Sequence, residues 1–127
     1  MKTKAAVTFG TGQPFEIHQI DVAPLQADEI RIAMVASGVC HTDAVARDLE
    51  GVFPLPGVLG HEGSGIVAAI GKDVSTVQVG DHVVLSFASC QRCDHCLSGQ
   101  PTVCTGFNPV NFGGFLAGGQ TPYSLDG

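Results

Sequence analysis

The sequence has few cationic residues and no long apolar segment. Six lysines and arginines stand against twelve aspartates and glutamates, so the 127 residues carry a net charge of −6 at pH 7. Nucleic-acid and anionic-membrane partners both need a basic face, which argues against either partner. No stretch approaches the roughly 18 apolar residues of a membrane span. No apolar run follows the basic residues 1–4, so no signal peptide is expected.

Aromatic residues are also scarce, because tryptophan is absent and tyrosine occurs once. Seventeen glycines and seven prolines instead predict many turns and short strands. The 44% of hydrophobic residues argues against disorder, and the length fits one domain with a real core. Five cysteines without a secretory signal indicate a reducing, cytoplasmic setting.

Alternating apolar residues, punctuated by glycine and proline, predict a mostly-β chain. The strands are predicted at residues 4–9, 15–22, 29–37, 64–70 and 82–87, and the first two form a hairpin. A short helix is expected over residues 42–50, with Thr42 or Asp43 as its N-cap. Residues 52–60 and 108–127 are predicted to be loops. Together these elements predict a partly closed barrel with one or two short helices.

Four cysteines with gaps of two, two and seven residues form the strongest motif: Cys90, Cys93, Cys96 and Cys104. Four thiolates complete a tetrahedral zinc shell with no open position, which is typical of a structural site. The alternatives are a disulfide pair or unrelated buried thiols. A triple cysteine run with two-residue gaps rarely arises by chance, and it therefore favours zinc.

A second metal site is predicted around Cys40 and His61. Cys40 follows one predicted strand and His61 precedes another, so two loops at strand ends can bring them together. Each residue taken singly is more often a packed core side chain. Two ligands do not complete a catalytic zinc site, which commonly uses three protein ligands and water.

These motifs resemble the zinc-dependent medium-chain alcohol dehydrogenases. The G-H-E-x-x-G-x-x-x-x-x-G-x-x-V signature of that family is matched by Gly60, His61, Glu62, Gly65, Gly71 and Val74. The four-cysteine spacing matches the family's structural-zinc lobe, here about residues 88–106. The segments 40–43 and 80–83 resemble its first catalytic-zinc segment and its G-D-x-V turn. The resemblance implies that residues 1–127 form the N-terminal, GroES-like catalytic domain, incomplete at its C-terminal end.

The resemblance also implies ligands for a catalytic zinc. Cys40 and His61 would bind the ion, and Glu62 would approach it when water or substrate exchanges. Asp43 would accept the free ring N–H of His61 and thereby raise the basicity of that ligand. Zinc would lower the pKa of the alcohol, and a hydride would leave for nicotinamide.

Two further roles follow from the same resemblance. Thr42 would hydrogen-bond the alcohol and pass on its proton, and His41 would lie near the pyrophosphate of the cofactor. Capping of a helix is the structural alternative for Thr42 and Asp43, and both roles are compatible.

Three departures from the family pattern restrict this reading. Many members carry a relay histidine at the position of Val45. The chain has no cysteine after Cys104, so the third ligand of the catalytic zinc is missing. No G-x-G-x-x-G follows a strand, so the NAD(P)-binding Rossmann domain is missing as well. We therefore expect a fragment of a longer dehydrogenase that is inactive alone, with a natural short protein as the alternative.

The substrate class rests on fewer residues. Val45 and the segment 111–114 (Asn-Phe-Gly-Gly) resemble the aryl-alcohol, or benzyl-alcohol, branch. Ser86 and Phe87 precede the cysteines, where Phe87 would be either a pocket wall or a core residue. The function expected is oxidation of an aromatic primary alcohol to its aldehyde with NAD, by an enzyme that is a homo-oligomer at full length. The alternative is a stand-alone zinc-stabilised barrel used for binding or assembly.

Overall fold

The computed structural model describes residues 1–51, 53–116 and 119–126 of the chain. Within these residues the strands are β1 Lys2–Thr8, β2 Glu16–Val22, β3 Ile30–Ser37, β4 Gly57–Val58, β5 Gly63–Ile70, β6 His82–Val84 and β7 Tyr123–Ser124. The helices are α1 His41–Asp48, α2 Asp94–Leu97 and α3 Phe107–Phe112, with a 3-10 helix at Pro101–Val103. The mostly-β prediction is confirmed. None of the helices described is long and apolar enough to cross a membrane.

Two antiparallel sheets carry the fold. One sheet has the order β4-β1-β2-β7, and the other has the order β3-β5-β6. The predicted hairpin is confirmed, because β1 pairs with β2 in a register that runs from Lys2 opposite Asp21 to Val7 opposite Glu16. All strand pairs in the described ranges are antiparallel, so these ranges contain no parallel dinucleotide-binding sheet.

The buried core is small. Val67 and Thr8 are the largest fully buried side chains, and the Thr8 hydroxyl donates towards the carbonyl oxygens of Gly10 and Gln13 at 3.4 and 3.3 Å. Large apolar side chains remain exposed on β3 and β6, including Met34 at 52% and Val84 at 84%. Small cores are commonly supplemented by disulfides or a structural metal. A metal held by the four cysteines would add to the stability that this core provides.

Two signature glycines allow β5 and the turn after it to approach neighbouring backbone closely. A Cβ at Gly65 would overlap the carbonyl oxygen of Ala33, and a Cβ at Gly71 would overlap the carbonyl oxygens of Gln26 and Ala27. The pairing of β3 with β5 has two register shifts, one of them between Met34 and Ala36. These irregularities interrupt the simple alternation predicted for β3.

Several predicted boundaries were wrong. The 52–60 loop contains β4, where Val58 pairs with Val7, while Val52 lies outside the described residues. The 108–127 loop contains most of α3 and all of β7, while residues 117, 118 and 127 lie outside the description. Pro109 sits in the first turn of α3, where a missing N–H is tolerated. The described helices also exceed the one or two expected.

Strand β6 ends at Val84 rather than at residue 87. Leu85 still donates its backbone N–H to the carbonyl of Gly63 at 2.8 Å, but the chain then leaves the sheet. The backbone of Ala88 pairs instead with the side chain of Asn111. This departure carries the chain from the sheet to the four cysteines.

Candidate metal centres

The four predicted cysteines come together in one cluster. The Sγ atoms of Cys90, Cys93, Cys96 and Cys104 all lie within 4.8 Å of one another. The Sγ of Cys96 is 3.9 Å from that of Cys90 and 3.5 Å from that of Cys93. Tetrahedral zinc with Zn–S bonds of about 2.3 Å needs sulfurs about 3.8 Å apart. The cluster therefore fits a closed, structural zinc site, and we call residues 88–106 the cysteine lobe.

The alternative readings of these cysteines do not hold. All five cysteines of the chain are free thiols, so the predicted disulfide alternative is not seen. Backbone N–H groups point at the sulfurs: Cys93 donates to Cys90 Sγ at 3.4 Å, and Cys90 and Gly106 each donate to Cys104 Sγ at 3.3 Å. Such donors stabilise thiolates, the form that binds zinc.

The cysteines differ in how readily they lose a proton. The backbone N–H groups of Arg92 and Cys93 lower the pKa of Cys90. The backbone N–H groups of Cys96 and Thr105 lower the pKa of Cys93 to about 5. Burial, with the neighbouring Cys93 side chain, raises the pKa of Cys96 to about 11. Neighbouring thiols of the cluster thus differ in acidity, and zinc binding would displace the proton of the less acidic one.

Short helical turns shape the lobe and were missed by the sequence analysis. Helix α2 starts directly after Cys93, which is its N-cap, and it contains Cys96. The 3-10 helix ends at Val103, with Cys104 as its C-cap. Both elements span only three or four residues, which is too short for a periodic pattern to indicate them.

The second predicted site is also assembled. Cys40 Sγ, a ring nitrogen of His61 and a carboxylate oxygen of Glu62 lie within 4.8 Å of one another, and we call these residues the second cluster. Cys40 Sγ is 3.4 Å from His61 Nε2, and Glu62 Oε1 is 3.9 Å from the same nitrogen. A tetrahedral zinc would separate its sulfur and nitrogen ligands by about 3.6 Å. The spacing therefore fits a metal with one open position.

The start of α1 places Cys40 in this cluster. The N-cap of α1 is Cys40 rather than Thr42 or Asp43, so the predicted cap was wrong. The backbone N–H of Thr42 donates to Cys40 Sγ at 3.2 Å, and Asp43 Oδ2 accepts the backbone N–H of Cys40 at 2.8 Å. This reciprocal pair is a capping box in which a thiol takes the place of the usual hydroxyl.

Asp43 connects α1 to His61. Its side chain is buried, with 6% relative exposure, and Oδ1 lies 3.4 Å from His61 Nδ1. One carboxylate therefore faces the backbone of Cys40 and the ring of His61 together. Such a carboxylate fixes which ring nitrogen points at a metal.

Gly38 is a residue of the site that sequence analysis did not single out. Its N–H donates to the carbonyl oxygen of Glu62 at 2.7 Å, and a Cβ at this position would overlap the Glu62 carboxylate. The glycine therefore leaves room for that carboxylate. The available signal is a glycine two residues before Cys40, although by itself it predicts only the end of β3.

Thr42 and His41 occupy the first turn of α1 and are exposed. The backbone of Thr42 contacts Cys40, which places this residue beside the second cluster. His41 belongs to neither metal-ligand group formed by the described residues. A groove of about 480 Å³ opens at the cluster, lined in part by Gly38, His61, Glu62, Val84 and Leu85.

Phe87 contacts the second cluster through His61, although it is not among the residues that line the groove. Its ring stacks on that of His61, with centroids 5.7 Å apart and an interplanar angle of 15°. Phe107 and Phe112 contact the Phe87 ring, with 5.2 and 6.2 Å between centroids. Phe87 is 50% exposed, so it is not a core residue.

Comparison with known proteins gives a consistent assignment. The profile of the family described as "Alcohol dehydrogenase GroES-like domain" matches residues 26–125. The chain is 44% identical to an S-(hydroxymethyl)glutathione dehydrogenase of Escherichia coli O1:K1 / APEC, over 100% of this chain and 35% of the relative.

Two solved structures are also similar. An alcohol dehydrogenase zinc-binding domain protein from Burkholderia ambifaria superposes with a TM-score of 0.95 at 42% identity, over 99% of this chain and 34% of that one. A benzyl alcohol dehydrogenase from Acinetobacter calcoaceticus gives 0.92 at 45% identity, over 97% of this chain and 34% of that one. The chain thus spans about a third of the length of the relatives it matches.

Proposed function

The chain belongs to the alcohol dehydrogenase family through its GroES-like domain, and we propose that residues 1–127 supply the zinc-binding part of an active site that oxidises a primary alcohol to its aldehyde. Nicotinamide is held by the dinucleotide-binding domain of the whole enzyme rather than by this chain. The enzyme uses NAD, works in the cytoplasm and is a homo-oligomer. The five free cysteines support a reducing compartment.

The observation that carries this proposal is the second cluster. A zinc-stabilised module used for binding or assembly needs only the cysteine lobe. It has no use for Cys40, His61 and Glu62 gathered within 4.8 Å beside an open groove. This second donor set favours catalysis over assembly, because catalytic zinc sites keep an open position.

The residues of the cluster have distinct roles. Cys40 and His61 would hold the zinc, and Glu62 would stand next to it as an exchangeable ligand. Bound zinc lowers the pKa of an alcohol and so prepares it to give up a hydride. Asp43 keeps Nδ1 of His61 towards itself, which leaves Nε2 directed at Cys40 and the metal.

Proton removal is assigned to Thr42. Thr42 is exposed at the first turn of α1, next to Cys40, where its hydroxyl could take up the proton of an alcohol while it releases its own. Val45 has no titratable group and cannot pass the proton on, so the proton would leave through water or the ribose of a bound cofactor. His41, exposed at the start of the same helix, is assigned to the pyrophosphate of the cofactor.

The substrate proposed is an aromatic primary alcohol. Support comes from the ring of Phe87, which lies on His61 and is backed by Phe107 and Phe112. Aromatic pairs prefer stacked or tilted contacts of this kind, and a benzyl ring can add to them. The similarity to a benzyl alcohol dehydrogenase at 45% identity supports the same substrate class.

Cobalt substitution tests this proposal on the chain itself. With zinc in the cysteine lobe, added Co²⁺ should produce a thiolate charge-transfer band from Cys40, and benzyl alcohol should perturb the cobalt spectrum. Cys40→Ser should abolish the band while it leaves the lobe intact. A cobalt spectrum that is identical in Cys40→Ser and wild type would contradict the assignment.

Turnover provides the second test. The chain alone, mixed with benzyl alcohol and NAD, should produce no reduced cofactor, because donor and acceptor are not held in contact. In the whole enzyme Thr42→Ala should lower turnover by about 10²-fold or more, while Thr42→Ser retains it. A rise in KM at unchanged kcat would show that Thr42 binds the substrate but does not carry its proton.

A further inference from the structure

The segment between β6 and the cysteine lobe contacts the second cluster through the ring of Phe87. The ring of Phe87 in this segment lies nearly parallel to that of His61, at 15° and with centroids 5.7 Å apart. The other contacts of His61 are made at its edges. Nδ1 faces Asp43 at 3.4 Å, and Nε2 faces Cys40 at 3.4 Å.

The contacts at the edges leave one motion of the imidazole unrestrained. Nδ1 and Nε2 lie on different edges of the ring, and a ring held at two edge atoms can still tilt about the line that joins them. A parallel ring against one face opposes this tilt. Phe87 therefore supplies the restraint that Asp43 and Cys40 cannot supply.

The position of Phe87 is itself fixed by Asn111. Asn111 Oδ1 accepts the backbone N–H of Ala88 at 2.8 Å, and Nδ2 donates to the carbonyl oxygen of Ala88 at 2.9 Å. Nδ2 also donates to the carbonyl oxygen of Phe107 at 2.8 Å. The amide thus replaces a neighbouring strand for the residue that follows Phe87. Only a side-chain amide offers an acceptor and two donors at one site.

Helix α3 connects the hydrogen bonds between Asn111 and Ala88 to the cysteine lobe. The backbone N–H of Phe107, its first residue, donates to the carbonyl oxygen of Cys104 at 3.0 Å. The ring of Phe107 packs against Phe87 at 5.2 Å between centroids. A continuous set of contacts therefore runs from a cysteine of the lobe, through α3, to the imidazole of the second cluster.

We propose that Phe87 and Asn111 are positioning residues that couple the cysteine lobe to His61. Asn111 anchors the backbone beside Phe87 to α3, and Phe87 holds the plane of the His61 ring. Metal in the lobe fixes α3 and thereby supports metal binding at the second cluster. The role of His61 as a ligand rests on the proposed function, whereas its positioning by Phe87 does not.

Histidine ring resonances test the positioning without any metal at the second cluster. A stacked phenyl ring shifts the His61 Cε1–H signal through its ring current. In the zinc-loaded chain we expect Phe87→Leu to abolish this shift and Phe87→Tyr to retain it. Asn111→Ala should reduce the shift, although Asn111 does not touch His61. Asn111→Asp should give a shift between those of Asn111→Ala and wild type, because it keeps only the acceptor.

His18 provides a matched internal control. It packs edge-on against Phe9 at 5.1 Å between centroids, in the sheet that contains β1 and β2. Its signal should stay in place in all four variants. An unchanged His61 signal in Phe87→Leu or in Asn111→Ala would overturn the proposal. Equal movement of the His18 and His61 signals would overturn it too, because the residues would then support the fold as a whole.

Cobalt affinity measures the consequence for metal binding. With zinc in the lobe, Phe87→Leu and Asn111→Ala should weaken Co²⁺ binding at the second cluster about tenfold, while Phe87→Tyr stays near wild type. Unchanged affinity in both weakening variants would contradict the coupling. If wild type binds Co²⁺ no better than Cys40→Ser, the proposed function fails, and the His61 resonance still decides the positioning.

Discussion

Gly38 and Glu62 lie so close together that the site has no room for a side chain at position 38. A Cβ on Gly38 would overlap the Glu62 carboxylate, and the N–H of Gly38 donates to the carbonyl oxygen of Glu62 at 2.7 Å. The end of β3 and the loop before β5 are thereby joined at the second cluster. Among the residues described, no lysine or arginine side chain pairs with the Glu62 carboxylate, which lies 3.9 Å from His61 Nε2.

Gly38→Ala should therefore destabilise the chain by about 1–3 kcal/mol through overpacking. The cost should be smaller when Glu62 is first replaced by alanine, because most of the overlapping atoms are then gone. A double-mutant cycle with Glu62→Ala, followed by urea unfolding, measures the difference. Equal costs in both backgrounds would show that the carboxylate does not fill this space.

Removal of one lobe cysteine should destabilise the whole chain. Cys93→Ser should lose the structural zinc and lower the melting temperature sharply. In zinc-finger peptides a structural zinc contributes ~10–16 kcal/mol, which is comparable to the stability of an entire domain. Zinc analysis and thermal melting measure both effects. Cys40→Ser is the matched control and should keep the zinc and the melting temperature of wild type. Unchanged zinc and melting in Cys93→Ser would rule the structural role out.

Immediately after a chelator removes the zinc, while the lobe keeps its fold, its thiols should react in a fixed order. Only the thiolate attacks an alkylating reagent, and backbone donors lower the pKa of Cys93 to about 5 while burial raises that of Cys96 to about 11. At neutral pH Cys93 is a thiolate and Cys96 a thiol, so iodoacetamide should label Cys93 first. Labelling of Cys93 should slow only as the pH falls towards 5, whereas labelling of Cys96 should accelerate up to about pH 11. Mass spectrometry of digests resolves the two sites. Faster labelling of Cys96 at neutral pH would contradict this order.

Local patterns explain what could be predicted from the sequence. The hairpin of β1 and β2, the strand β5 and the cysteine lobe each rest on residues close together in the chain. Cys40 and His61 are 21 residues apart, and their meeting was predicted because each flanks a strand and both are good zinc ligands. Such patterns predict the folded structure because strand period, turn residues and the spacing of metal ligands each depend on a short stretch of sequence.

The rest depends on contacts that no local pattern encodes. The hydrogen bonds between Asn111 and Ala88 join residues that are 23 positions apart. The ring contact between Phe87 and His61 joins two different segments of the chain. The cap of α1 was assigned to the wrong residue because a thiol is not an ordinary capping group, although Cys40 is held in place by Asp43. Helix α3 was missed because its six residues include a proline and are flanked by glycines.

The central claim is that the chain has one closed zinc site and one open site with a weaker hold on metal. Four cysteines complete the lobe, whereas the second cluster offers Cys40, His61 and an exposed Glu62, and stable catalytic sites commonly use three firm protein ligands. Zinc per chain after exhaustive dialysis tests this most directly. We predict a value near one that falls to zero in Cys93→Ser and stays near one in Cys40→Ser. A value near two, lowered to one by Cys40→Ser, would contradict the account.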